Sequence, residues 1–149
     1  MPDAIDDLIA LWKRENTPLN PGASADQLDA FERDFAVSLP ADFRKLYSLA
    51  NGMADYDSDS AFLSLWSLSR VRKEPAGVHR HSGREHVFIT FADWMISAPE
   101  YAWRCGNDGS IAIVAPWYGV EDLVRQEVIA DSILDFARLR VERGSDFPS

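Results

Sequence analysis

The chain has 149 residues, a formal charge of −9, 46% hydrophobic and 26% charged residues, and one cysteine. The length suits a single domain, 1–149, with a core large enough to need no staples. Cys105 on its own excludes an intrachain disulfide and fits a reducing setting.

The amino-terminal "MPDAIDDLIALWKR" carries acids where an export signal needs bases, and no apolar run approaches the ~20 residues of a membrane span. The expected location is the cytoplasm. The same stretch places Ile5, Leu8, Ile9 and Trp12 on one helical face, with Asp3 as N-cap and Asp6 and Asp7 near the positive helix end. "NTPLNPGAS" breaks the chain. In "SADQLDAFERDFAV", Ser24 and Gln27 have the spacing of a capping box, and Leu28, Phe31 and Phe35 form the inner stripe.

"SLPADFRKLYSLANG" follows. Pro40 suits the first helical position, Phe43, Leu46, Tyr47 and Ala50 repeat with helical period, and Asn51-Gly52 offers the left-handed backbone that closes a helix. Both Pro40 and Gly52 are expected to serve folding. "MADYDSDSA" reads as a solvated acidic loop. "AFLSLWSL" alternates in two phases, the sign of a bent or bulged strand. "SRVRKEPAGVHRHSGRE" reads as a long basic connection. "HVFITFADW", "EYAWR" and "SIAIVA" read as strands, the last two joined by "CGNDG". "PWYGVED" reads as a loop and "LVRQEV" as a short edge strand. "ADSILDFARLRVERG" closes the chain as a helix with Ile133, Phe136, Ala137 and Arg140 on one face and Gly144 past its end. Three helices, several strands and a last helix argue an α+β fold with a mostly antiparallel sheet.

This order of elements, with its punctuation, resembles the SUKH superfamily. The resemblance rests on Phe31-Glu32, Leu39-Pro40 and Asn51-Gly52, on "VFITFADWMISAPEYAWR", and on Ser132 and Phe136 in the last helix. It runs from about residue 22 to 140, with no family pattern over 67–86. That superfamily includes fungal regulators of cell-wall synthesis and bacterial immunity proteins of polymorphic toxin systems. The resemblance implies a binding protein and not an enzyme. The expected role is immunity, by occluding a toxin domain. A scaffold or regulatory module is the alternative, and a small hydrolase the third reading.

No catalytic set stands out from the residues themselves. His79, His81 and His86 are clustered, but Arg72, Arg80 and Arg84 crowd them and would repel a metal cation. Cys105 lies in a turn with no nucleophile motif around it. Asp55, Asp57 and Asp59 alternate like the start of a calcium loop, yet Ser60 and Trp66 stand where its Gly and closing Glu would be. No metal or cofactor is expected, and the paired carboxylates of a hydrolase cannot be singled out. Trp66, Trp94, Trp103 and Tyr101 read as core.

Charge points to the partner. Residues 1–60 hold 12 acids against 5 bases, residues 61–90 hold 2 against 5, and residues 91–149 hold 10 against 5. Such a surface repels nucleic acid and either serves solubility alone or steers a basic protein partner, which the resemblance would make a basic toxin domain. Asp55, Asp57 and Asp59, with the loop aromatics Trp117 and Tyr118, are the candidate partner-binding residues. Oligomeric state is not readable from these features.

Overall fold

The computed structural model describes residues 1–74, 86–95, 100–106, 111–118 and 124–147. Helices α1 (Ala4–Arg14), α2 (Ala25–Phe35) and α3 (Ala41–Leu49) come first. Strands β1 (Leu63–Leu65), β2 (Arg72–Glu74), β3 (His86–Trp94), β4 (Glu100–Gly106), β5 (Ile111–Tyr118) and β6 (Val124–Ala130) follow, and α4 (Ile133–Arg143) comes last. The α+β expectation holds. All strand pairs in the sheet are antiparallel, in the order β1-β3-β4-β5-β6. The short strands β1 and β2 share one edge of β3: Leu63–Leu65 lie opposite Ala92–Trp94, and Arg72–Glu74 opposite Phe88–Thr90. Six strands therefore fill five positions.

Local chemistry sets the helix starts. Asp3 accepts from the Ile5 and Asp6 N–H groups at 3.0 and 3.1 Å, and Asp6 accepts the Asp3 N–H in return. Ser24 and Gln27 form the same reciprocal pair. Ser132 caps α4 through the Asp135 N–H. Pro40 lies one residue outside α3, as its N-cap at φ −59°, and its carbonyl accepts the Arg44 N–H. The proline ring permits that φ and costs no helical hydrogen bond there.

Packing follows the apolar stripes. Ile5, Leu8, Ile9 and Trp12 of α1, Leu28 and Phe31 of α2, and Phe43, Leu46 and Tyr47 of α3 are buried together with Ile133, Phe136 and Ala137 of α4. Phe35 is only half-buried. Phe43 stacks on Tyr47 and meets Phe91 edge-on, and Phe136 meets Phe91 and Tyr101 edge-on, so α3 and α4 grip β3 and β4. A bulge between Thr90 and Ala92 leaves Phe91 out of the β4 ladder, and its carbonyl accepts the Trp66 N–H at 2.8 Å. Trp66 and Trp103 are buried; the Trp66 indole donates to Asp93, while the Trp103 indole N–H has no partner among the described residues.

Polar ties hold the helical layer in register. Glu32 accepts the Leu39 N–H at 3.3 Å and pairs with Arg44, which also binds Asp29 at 2.9 Å. Lys45 bonds Asp3 and Asp6, each at 2.8 Å, and its ammonium holds both carboxyls below the usual aspartate range. The Tyr47 hydroxyl donates to the Trp66 carbonyl at 2.6 Å, and burial pushes its phenol pKa up. The Asn51 side chain accepts the Leu68 N–H at 2.9 Å.

Three expectations change here. Gly52 is left-handed at φ +68°, but it does not stop α3, which closes at extended Ala50. It turns the chain into a parallel bridge between Met53 and Trp66. The region read as a basic connection contains β2, whose three residues were hidden by their charge. "PWYGVED" is not all loop: β5 runs on to Tyr118, with Pro116 opposite Gln126 beyond the last described β4 partner.

A Cβ on Gly52 would lie 2.4 Å from the Ser67 nitrogen and from the Trp66 carbonyl carbon. Gly52→Ala therefore meets both a steric wall and an unfavourable φ, and should cost at least about 1–2 kcal/mol in a denaturant melt. An unchanged midpoint would show that the bridge yields freely.

Asp59 makes the most concentrated set of ties. One oxygen accepts the Ala61 and Leu63 N–H groups at 2.8 and 3.0 Å, and the other accepts the Trp12 indole and the Arg140 Nε, both at 2.8 Å. Asp59→Asn turns an amide toward two donors and leaves Arg140 buried without its counter-charge. It should lower unfolding free energy by about 3–5 kcal/mol. A loss below about 1 kcal/mol would show that the fold does not rely on this pair.

Candidate functional site

The acidic loop does not sit as its alternation suggests. Asp55 is exposed and Asp57 half-exposed, but Asp59 is 5% exposed and its charge is matched inside the fold by Arg140. This corrects the reading of three solvated acids: two remain at the surface. The reason is tertiary, since the partners of Asp59 lie 47 and 81 residues away. Its signal in the sequence is Arg140, a cation on the apolar face of α4, which demands a buried acid. Trp117 and Tyr118 are strand residues opposite Arg125 and Val124, where the sequence reads as a loop. His79 and His81 lie outside the described residues, and His86 opens β3 opposite Gly106.

Beside the loop lies a pocket of about 260 Å³ that the sequence does not reveal. Its floor comes from β1, the following turn and β3. Ser64 and Asp93 are register partners across β1 and β3. The Trp66 indole donates to Asp93 at 3.0 Å, and Arg70 reaches the same oxygen at 3.4 Å. The Arg70 guanidinium lies 4.3 Å from the centre of the Trp66 ring and 5.8 Å from that of Tyr56. Asp57 lines the side.

The rim is apolar. Tyr56, Phe62 and Met95 line the pocket and are 75%, 56% and 51% exposed. All three also have left-handed backbones, at φ 71°, 65° and 49°. Bulky side chains rarely occupy this region, where Cβ crowds the following carbonyl at about 1–2 kcal/mol per residue. The loop imposes it: Phe62 donates its N–H to the Asp59 carbonyl, and Met95 donates to the Phe62 carbonyl, each at 3.0 Å. Exposed apolar groups on strained backbone are a mark of a binding surface.

Nucleophilic chemistry needs a base hydrogen-bonded to the nucleophile. The Ser64 hydroxyl is buried and has no hydrogen-bond partner among the described residues. No cluster of three metal-ligating side chains occurs among the described residues, and no helix there is long and apolar enough to cross a membrane.

A model of the SMI1 / KNR4 family (SUKH-1) matches residues 22–138. The chain belongs to that family. No curated protein matches the chain significantly. The SUKH-1 match takes in the whole pocket, from Tyr56 to Met95, and leaves α1 outside. The positions carrying the SUKH resemblance have structural work here. Glu32 ties Leu39 and Arg44, and Asn51 and Gly52 join the helices to the chain around Trp66. Neither Glu32, Asn51 nor Gly52 lines the pocket, whereas Asp93 and Met95, within the stretch "VFITFADWMISAPEYAWR" that also carries the resemblance, do.

If the rim is strained for binding, relieving the strain should not harm the fold. Phe62→Asn and Met95→Asn place a residue that tolerates left-handed backbone at each site. Both should leave the melting temperature unchanged or raised. A drop of more than about 2–4 °C, equivalent to ~1 kcal/mol, would make these side chains structural.

Proposed function

We propose that this SUKH-1 protein is a non-catalytic binding domain that acts as an immunity protein, occluding a basic toxin domain. The observation that carries this reading is the apolar rim of Tyr56, Phe62 and Met95, held exposed on left-handed backbone beside the acidic Asp55–Asp57 loop. An apolar centre with a charged edge is the layout of a protein interface. The charge of −9 would supply long-range steering of a basic partner, and Asp55 is an exposed acid of the loop beside the rim.

Co-production should protect cells from the toxin encoded beside this protein's gene, and the purified pair should associate more slowly as salt rises. Screening shortens from ~10 Å at 0.1 M to ~3 Å at 1 M ionic strength. Asp55→Asn should lower the association rate, and Phe62→Asn should raise the dissociation rate. Protection without binding, or binding indifferent to both substitutions, would place the interface elsewhere.

A further inference from the structure

Resting on the protein-binding reading, we infer that the pocket beneath the rim receives one cationic side chain, arginine or lysine, projected by the partner. At about 260 Å³ the pocket is smaller than the ~300–1,000 Å³ of sites for drug-sized ligands, and suits a single side chain. Its charged lining is Asp57, Asp93 and Arg70, a net of −1. Arg70 is already engaged, with Asp93 at 3.4 Å and the Trp66 face at 4.3 Å. What is left open is acceptor capacity. The Asp57 carboxylate has no hydrogen bond or ion pair among the described residues, although its backbone is fixed by the turn to Ala54. The Ser64 hydroxyl is the second open group: the residue is 4% exposed, it lines the pocket, and its oxygen is unpartnered.

A buried polar atom without a partner is costly and rare in folded proteins. Here a guanidinium or ammonium entering between Asp57 and Ser64 would satisfy it. The methylene stem of such a side chain would lie along Phe62 and Met95, and the cation would come near the Tyr56 ring. An anion would fare worse. It would meet a cation already paired with Asp93 and would face the open Asp57 charge.

The test uses the full chain, ¹⁵N-labelled, titrated separately with the N-acetyl, N′-methylamide derivatives of arginine, lysine, citrulline and glutamate. The arginine and lysine compounds should shift the Asp57, Phe62, Ser64 and Met95 amides saturably. Citrulline, neutral and of arginine's shape, should bind about tenfold more weakly, as should arginine to Asp57→Asn. Ser64→Ala should weaken arginine binding without lowering the melting temperature, because it removes an unsatisfied group. No localised shift with either cation, equal binding of citrulline, or tighter binding of glutamate would overturn the assignment. The two readings fail separately. If the cations bind but no toxin is neutralised, the pocket assignment stands and the immunity role falls. If neutralisation holds and Asp57→Asn leaves the Kd for the toxin unchanged, the pocket assignment alone falls.

Discussion

One carboxylate organises this protein. Asp59 accepts four hydrogen bonds, close to the full capacity of an ionised carboxylate, and does so from three separate parts of the chain. Trp12 brings α1, Arg140 brings α4, and Ala61 and Leu63 are its own neighbours at the entry to β1. A buried ion pair gains little over an apolar one of the same shape, but it is intolerant of losing a member. It therefore fixes where the first and last helices meet the loop between them. The consequence reaches the surface. With the Asp59 backbone held, its carbonyl takes the Phe62 N–H, and the Phe62 carbonyl takes the Met95 N–H. The strained rim is thus the outer end of a chain of bonds that starts in the core.

A second set of ties keeps the helices on the sheet. Tyr47 reaches the Trp66 carbonyl, Asn51 reaches the Leu68 N–H, and Gly52 admits the Trp66–Ser67 backbone where any side chain would collide. All three converge on the same short stretch that carries Ser64, Trp66 and Arg70. These ties hold the chain on either side of the pocket floor. The Trp66 ring is buried, it holds Asp93 through its indole, and it supports Arg70 on its face. Pre-organisation of this kind lowers the entropy lost on binding. Glu32, Asn51 and Gly52 thus serve the scaffold, while Asp93 and Met95, in the stretch "VFITFADWMISAPEYAWR", line the pocket.

What the sequence by itself determined lies in interactions of short range. Asp3, Ser24 and the apolar stripes of Ile5, Phe43 and Phe136 mark the four helices, because a cap acts over three residues and a helical face repeats every three or four. β3 and β4 are legible as apolar runs between turn signals. β2 is not, since its Arg-Lys-Glu is placed by backbone pairing to β3 and not by burial pattern. The ends of Pro40 and Gly52 were legible as folding signals but misplaced by a residue or two, because the deciding contacts of Gly52 come from Trp66 and Ser67. The tertiary structure alone decided the candidate site. Asp57 and Asp59 are two residues apart and chemically identical, yet one is an open acceptor and the other a saturated core group. Local polarity cannot separate them, because the difference is made by donors far along the chain. Nor do the side chains of Phe62 and Met95 favour the left-handed backbone they occupy, which the hydrogen bonds linking Asp59, Phe62 and Met95 hold in place.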